Sequence, residues 1–542
     1  MKKINIKIWA GAVLMFFVAS CDDFLNINDN PNQPIVADVQ LVLPQAIVAS
    51  ASVANQFNSY GGHFGGFIAN AGGFSGFGTL LTYNLTPSDY NAMWVNCYQD
   101  PLADFQYVIE KTEGVSEMGF YNAAAKIMLA MNYQRLVDAF GDIPYAEALR
   151  GDEGINAPVY DDAAGIYTDL IATLDEAIAI IDATAKTGAG IYLKYANDPL
   201  FGVSGDSDDA LANQLLNWKQ YANTLKLRML VRTSGSFAGL ATTFGDVHLN
   251  DDPLLAVVIP GGEAFLTDDA EVDPGYEKNR PNPTWATWGK TTADALANSS
   301  RIPTTFSFAF YNGTKISDAG RGETLFVNYP LTPTNQLGNE VGNPTIVPGL
   351  VTWASNQAGY EGTGVLKGPG MARPLMLHAE AKFLQAEAQL NGDLPGSYIT
   401  SYYDGITASF RYMSKDENDV VKLDFATLVA SYLSVNDGNR LVTIEDAGTP
   451  AQQLEAIITQ KYIAMNMITS DEAWNEYRRT GYPVTVPGGA PALDIASNKS
   501  NITSRPDRLP TRVMYPVTEQ SYNAPNYRTV DYTSELIFWD PN

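Results

Sequence analysis

Residues 377–410 read LHAEAKFLQAEAQLNGDLPGSYITSYYDGITASF, and the pattern in this stretch decides the fold. Leu377, Ala381, Leu384 and Ala388 recur at helical spacing on one face. Gly392 then stops that helix, because glycine accepts the left-handed conformation in which helices commonly end. A second stripe follows with Tyr402, Ile406 and Phe410. Two apolar stripes joined by a short turn predict a helix–turn–helix of about tetratricopeptide length. The alanines of Ala379-Glu380-Ala381 and Ala386-Glu387-Ala388 leave room for a neighbouring helix to come close.

Working outward, the same period returns three times. Leu129, Tyr133, Leu136 and Phe140 form one stripe, and Ile166, Leu170, Leu174, Ala177 and Ile181 a second. Trp218, Ala222, Leu225 and Met229 form a third. Each stripe has to be buried against another element. Gly141 and Pro144 mark the end of the first of these helices. The expected fold is mainly α, a tetratricopeptide-like scaffold of imperfectly repeated helix pairs, with long irregular loops and few short strands.

Two stretches break the pattern. Residues 57–88 are rich in glycine and aromatics, and a loop-rich insertion at about 250–370 is rich in Gly, Pro, Asn and Thr. Long loops within a compact fold are usually functional. They carry the rings expected to meet a ligand: Tyr60, Phe77 and Tyr83 in the first, Trp285, Trp288, Tyr311, Trp353 and Tyr360 in the second, with His63 beside them.

The N-terminus gives an address. Lys2, Lys3 and Lys7 precede the apolar run Ile8 to Phe17. That run is too short to cross a hydrocarbon core of roughly 30 Å as a helix and reads as the centre of a signal peptide. Val18-Ala19-Ser20-Cys21 is the pattern of a lipoprotein cleavage site, in which the cysteine thiol is acylated. The expected division is a leader at 1–20, a lipidated tether at 21–35 starting at Cys21, and a single domain at 36–542.

A formal charge of −26 makes nucleic acid an improbable partner, because phosphate binding depends on Lys and Arg contacts. Anionic headgroups are disfavoured on the same ground, so membrane attachment has to be covalent. With Cys21 acylated, Cys97 has no partner for a disulfide, and its setting reads as a small buried residue. Lys219, Lys226, Arg228 and Arg232 form a basic patch, expected to pair with carboxylates such as Asp138 or Glu472 across helices. Trp474 and Tyr477 share one helix face and are expected in the core.

No catalytic motif emerges. The three histidines, His63, His248 and His378, are far apart, and no nucleophile elbow or His-Glu-x-x-His is present. Gly289-Lys290-Thr291 imitates the end of a phosphate-binding loop, but Thr284 stands where its first glycine belongs. Asp251-Asp252 and Asp268-Asp269 are carboxylate pairs of the kind a glycosidase needs, yet among 60 acidic residues such pairs arise by chance. Asp206, Asp208 and Asp209 lack a full calcium-loop signature. The expectation is no enzyme, no cofactor and no assigned metal.

Five ordered blocks carry a resemblance. They are Cys21-Asp22-Asp23-Phe24 with the Asn-rich tether; Asp138-Ala139-Phe140-Gly141-Asp142-Ile143-Pro144-Tyr145; Trp218-Lys219-Gln220-Tyr221-Ala222-Asn223 with Leu225 to Arg228; Ala379 to Ala388 followed by Tyr403-Asp404-Gly405-Ile406; and Gln460-Lys461-Tyr462-Ile463 followed by Glu472-Ala473-Trp474 and Arg478-Arg479-Thr480-Gly481-Tyr482-Pro483. Over nearly its whole length the chain resembles the SusD/RagB family of outer-membrane nutrient-binding lipoproteins. The resemblance implies four tetratricopeptide-like pairs, a SusC-like TonB-dependent transporter as partner, and an oligosaccharide ligand, or a peptide in the RagB branch. It implies a lipid-anchored place at the outer membrane, facing the cell exterior. A lipid-anchored all-helical glycoside hydrolase is the rival of a different class.

Overall fold

The computed structural model describes residues 37–71, 78–183, 198–202, 208–233, 264–330 and 351–541. The leader, Cys21, the tether, Phe77, Asp206, His248 and Asp251-Asp252 lie outside these residues. The longer helices are α1 (Val39–Phe64), α2 (Ala103–Thr112), α3 (Gly119–Phe140), α4 (Ala163–Ala183) and α5 (Asp208–Thr233). They continue with α6 (His378–Asn391), α7 (Tyr398–Met413), α8 (Phe425–Val435), α9 (Pro450–Met465) and α10 (Ser470–Thr480). Strand β1 (Ile68–Asn70) pairs antiparallel with β3 (Arg301–Pro303), and β2 (Ala270–Val272) with β4 (Arg373–Met376). The fold is mainly α with few short strands, as the periodicity predicts.

Residues 377–410 form the pair α6–α7. Gly392 ends α6 in the left-handed conformation at φ 83°, and the side chain of Ser397 caps α7 by accepting from the Thr400 amide. On α7, a Cβ at Gly405 would stand 2.7 Å from the Phe383 ring of α6, so glycine sets how closely the two helices approach. The other stripes behave alike: α3 packs against α4 and α2, α4 against α5, and α9 against α10. Helix α3 is buried almost all round, being enclosed by α1, α2 and α4. Its end at Phe140, with Gly141 at φ 76°, falls where the sequence places it.

Residues 57–88 differ from the expected loop. Through Phe64 they continue α1, and Thr79–Thr82 is a single helical turn. Gly61 lies where α1 crosses the start of α10, and a Cβ there would fall 2.1 Å from the Asp471 backbone nitrogen. Glycine costs a helix about 1 kcal/mol relative to alanine, and here the close crossing requires it. The described parts of the insertion fit the expectation better. They hold β2, β3 and three short helices, Pro283–Trp288, Thr305–Phe308 and Ala319–Leu325, joined by turns.

One apolar cluster runs from Leu43 to Trp539 and includes Cys97, Trp474 and Tyr477. Burial pushes the Cys97 thiol up, well out of the reactive range. Across this core runs a network of buried charges. Arg228 on α5 pairs with Glu380 on α6 at 3.2 Å and with Glu472 on α10 at 3.3 Å. Arg232, one turn on, pairs with Asp138 on α3 at 2.5 Å and with Glu472. Lys461 on α9 joins Glu476 at 2.8 Å. Burial raises Glu472, but Arg228 and Arg232 outweigh it and hold the carboxyl down at about 2. Lys219 and Lys226 pair instead at the periphery, with Asp182 and Asp175. Among the described residues, the blocks that hold Asp138, Arg228, Glu380 and Glu472 are therefore internal wiring.

Candidate ligand-binding site

The ring-bearing residues separate into three groups. The first is an aromatic core beneath the end of α1. Phe64 meets Tyr60, Tyr83 and Trp474 edge-on at 5.2, 5.5 and 5.8 Å. Tyr60 accepts from the Trp474 indole N–H at 3.1 Å, and the Tyr83 hydroxyl accepts from the Ser497 amide at 3.1 Å. Tyr60 is 2% exposed and Tyr83 is fully buried. The second group surrounds Tyr311, which is also buried. Its ring lies 5.0 Å from Phe326, and its hydroxyl accepts from Asn466. Tyr360 is half-buried and hydrogen-bonds Glu323.

The third group lies along the second half of α1. Asn55 donates to the Pro283 carbonyl at 3.2 Å and to the Thr287 hydroxyl at 2.9 Å, fastening the helix Pro283–Trp288 to α1. Its N-cap Asn282 accepts from the Thr284 and Trp285 amides. Trp288 is buried and meets Trp353 at 5.3 Å in a T-shape, whereas Trp285 stays half-buried. Two turns beyond Asn55, about 12 Å along the helix, His63 donates from Nδ1 to the Ser59 carbonyl at 2.8 Å. His63 is buried; desolvation, then the charge of Arg301, lowers it to about 4, so the ring is neutral at pH 7.

Sugar rings stack on an open aromatic face. Tyr60, Tyr83, Trp288, Tyr311 and Trp353 have no such face left, because protein already covers both sides of each ring. His63 is buried with them. Trp285 and Tyr360 are the expected rings that keep partial exposure among the described residues.

One residue that the motif search passes over stands beside this third group. Arg301 on β3 lies opposite Asn70 on β1 and donates from Nη1 to the Asn70 side-chain oxygen at 3.0 Å. It donates also to the Ser300 carbonyl and hydroxyl, both at 3.2 Å. Its backbone carbonyl accepts from Thr352, the neighbour of Trp353. The nearest acidic residues along the chain are Asp294 and Asp318, but residues 39–88 also hold no acid, so the sequence does not single Arg301 out.

Away from these rings, a polar cleft of about 690 Å³ opens between β2 and the turn after α7, lined by Glu271, Asp273, Lys367, Glu417 and Asp419. Burial and neighbouring Asp269 push Glu271 up to about 8, and burial draws Lys367 down to about 8. Lys367 donates to the Tyr412 carbonyl at 2.8 Å. Asp268 and Asp269 are engaged as ion partners of Arg411 and Lys415. No cluster of His, Cys, Asp and Glu suited to a metal ion occurs among the described residues, nor any helix long and apolar enough to cross a membrane.

Comparison with known proteins gives one consistent answer. The model of a SusD-like family described as "Starch-binding associating with outer membrane" matches residues 31–516. Among solved structures, a chitin-binding protein matches at 21% identity and TM-score 0.64, over 93% of this chain and 100% of its own. A SusD homologue from Bacteroides fragilis matches at 19% identity and TM-score 0.63, over 93% and 99%. One from Bacteroides uniformis matches at 20% and 0.65, over 92% and 99%. No curated protein matches the chain.

Proposed function

The chain belongs to the SusD-like family, and on that premise we propose that it is a non-catalytic lipoprotein that captures an oligosaccharide nutrient at the outer membrane. The family match across residues 31–516 carries this reading. The half-buried rings of Trp285 and Tyr360 support it, because each pairs an apolar face with a polar rim and so suits a sugar. The buried residues Tyr60, His63, Tyr83, Trp288, Tyr311 and Trp353 hold that surface in shape, and Phe77 is retained as a ligand contact. Acylated Cys21 is the anchor, and residues 21–35 are the tether that lets the domain at 36–542 reach beyond the membrane face. A SusC-like TonB-dependent transporter is the acceptor of the bound ligand.

Retardation of the soluble mature chain in gels containing glycans tests the central claim. Mobility unchanged across a broad glycan panel, with peptide mixtures bound instead, would replace it with peptide capture. New reducing ends released from the glycans would replace it with hydrolysis. Protease shaving of intact cells tests exposure at the surface, and co-purification of a large barrel protein tests the transporter.

A further inference from the structure

Among the described residues, Arg301 is a cation without an acidic partner, in a chain of net charge −26. Among the described residues no carboxylate stands within ion-pair reach of it, and its Nε and Nη2 atoms have no hydrogen-bond partner there. Burial lowers its pKa, and among the described residues no carboxylate acts to raise it. Arg228, Arg232, Arg321 and Arg479 are ion-paired. Buried Arg373 and Arg512 are not, but Asp471 and Glu535 respectively act on them from farther off. A half-buried charge without a counter-ion is costly to keep.

Its geometry is also fixed. Three hydrogen bonds converge on Nη1 and tie that corner to β1 and to Ser300. The opposite edge, Nε–H with Nη2–H, is the pair of parallel donors with which a guanidinium grips two oxygens of one anion. The position is pre-organised by β1–β3 pairing, so little ordering would be required on binding. His63, neutral at pH 7, adds no competing positive charge, and Asn70 is already committed to the guanidinium.

We propose that Arg301 anchors an acidic substituent of the glycan, so that the ligand taken at this face is an acidic oligosaccharide bearing uronate carboxylates or sulfate esters. The proposal rests on the oligosaccharide reading above and narrows its substrate class. The overall negative charge repels polyanions at a distance, so selectivity comes from this one short-range contact and favours ligands with a single acidic group near the anchored ring.

Calorimetry on the mature chain at fixed salt tests it with three probes: neutral malto- and chito-oligosaccharides, uronate-bearing oligosaccharides, and sulfated ones. The expected result is binding of the uronate or the sulfated probe, whichever class is the source, at least about tenfold tighter than any neutral one. Arg301→Gln should remove that preference, and Arg301→Lys should retain part of it, since charge survives while the fork does not. His63 is a second reporter. Burial is the larger cause of the low His63 value and Arg301 the second; an anion seated on Arg301 cancels the second, so the NMR titration should move upward from about 4 when ligand is added. Tight binding of neutral probes with no loss in Arg301→Gln overturns the acidic-ligand inference and leaves glycan capture standing. Binding of no glycan at all overturns both. Should Arg301→Gln fail to fold, an unmoved His63 titration in the unmodified chain under saturating acidic ligand is decisive against it.

Discussion

Arg479 and Glu387 meet as a two-bond fork, with Nη1 to Oε1 at 2.6 Å and Nη2 to Oε2 at 2.7 Å, although they lie 92 positions apart. Both side chains are buried, and Glu476 shares the same guanidinium. Removing one partner of a buried pair leaves the other charge unpaired, at a cost of about 3–5 kcal/mol. Glu387→Ala should therefore lower the urea midpoint substantially. The double replacement Glu387→Leu with Arg479→Leu should recover much of the loss. A single variant that unfolds at the unmodified midpoint would mean the fork contributes nothing.

Gly61→Ala is the matching test of backbone packing. The added methyl would sit 2.1 Å from the Asp471 nitrogen, so α1 and α10 must separate. Overpacking of this kind costs about 1–3 kcal/mol, and a backbone obstacle places the expected loss at the upper end or beyond. Gly151→Ala is the control, since a Cβ there meets nothing within 4 Å. Equal thermal melts for the two variants would contradict the close crossing.

Support and contact should separate in the aromatic residues. Trp353→Ala and Tyr83→Ala remove fully packed rings and should destabilise by about 3–5 kcal/mol. Trp285→Ala and Tyr360→Ala should leave the melt nearly unchanged yet weaken glycan retention about fivefold to tenfold each, the loss of one stacked ring. Undiminished retention in the last two would remove both rings from the site.

His63 gives a pH signature. Its folded value is about 4, below the unfolded 6.5, so between these limits the unfolded chain binds the extra proton. Its contribution is fully present above pH 6.5 and is lost as pH falls toward 4, to a maximum of about 3 kcal/mol. Denaturation of the unmodified chain and of His63→Gln at pH 7.5 and pH 5 measures the difference. The variant should lose less stability on acidification, and parallel losses would place the titration elsewhere.

Helices with an apolar stripe on one face were readable from the spacing of Leu129 to Phe140 and Leu377 to Ala388, because local period and burial agree there. The acid partners of Arg228 and Arg232 were likewise legible, since a buried charge is costly unless it is paired. The segment Phe57–Phe64 was misread for the opposite reason. Gly61 obeys a tertiary contact with Asp471 and Gly62 one with Ile68, which no local pattern reveals, and together they imitate a loop. The aromatic rings posed a similar difficulty. Composition marks Tyr60, Tyr83 and Trp353 as suited to a sugar, but only three-dimensional packing shows which rings keep an open face. Arg301 was not legible in the sequence, because its setting depends on Asn70, 231 positions away.

The buried charge network also bears on how this chain comes to fold. Asp138, Arg228, Arg232, Glu380 and Glu472 are delivered in that order along the chain. Before α10 emerges, Arg228 already has Glu380 and Arg232 already has Asp138, two separate and balanced pairs. Glu472 touches both arginines, so residues 470–480 are what join the pairs into one circuit.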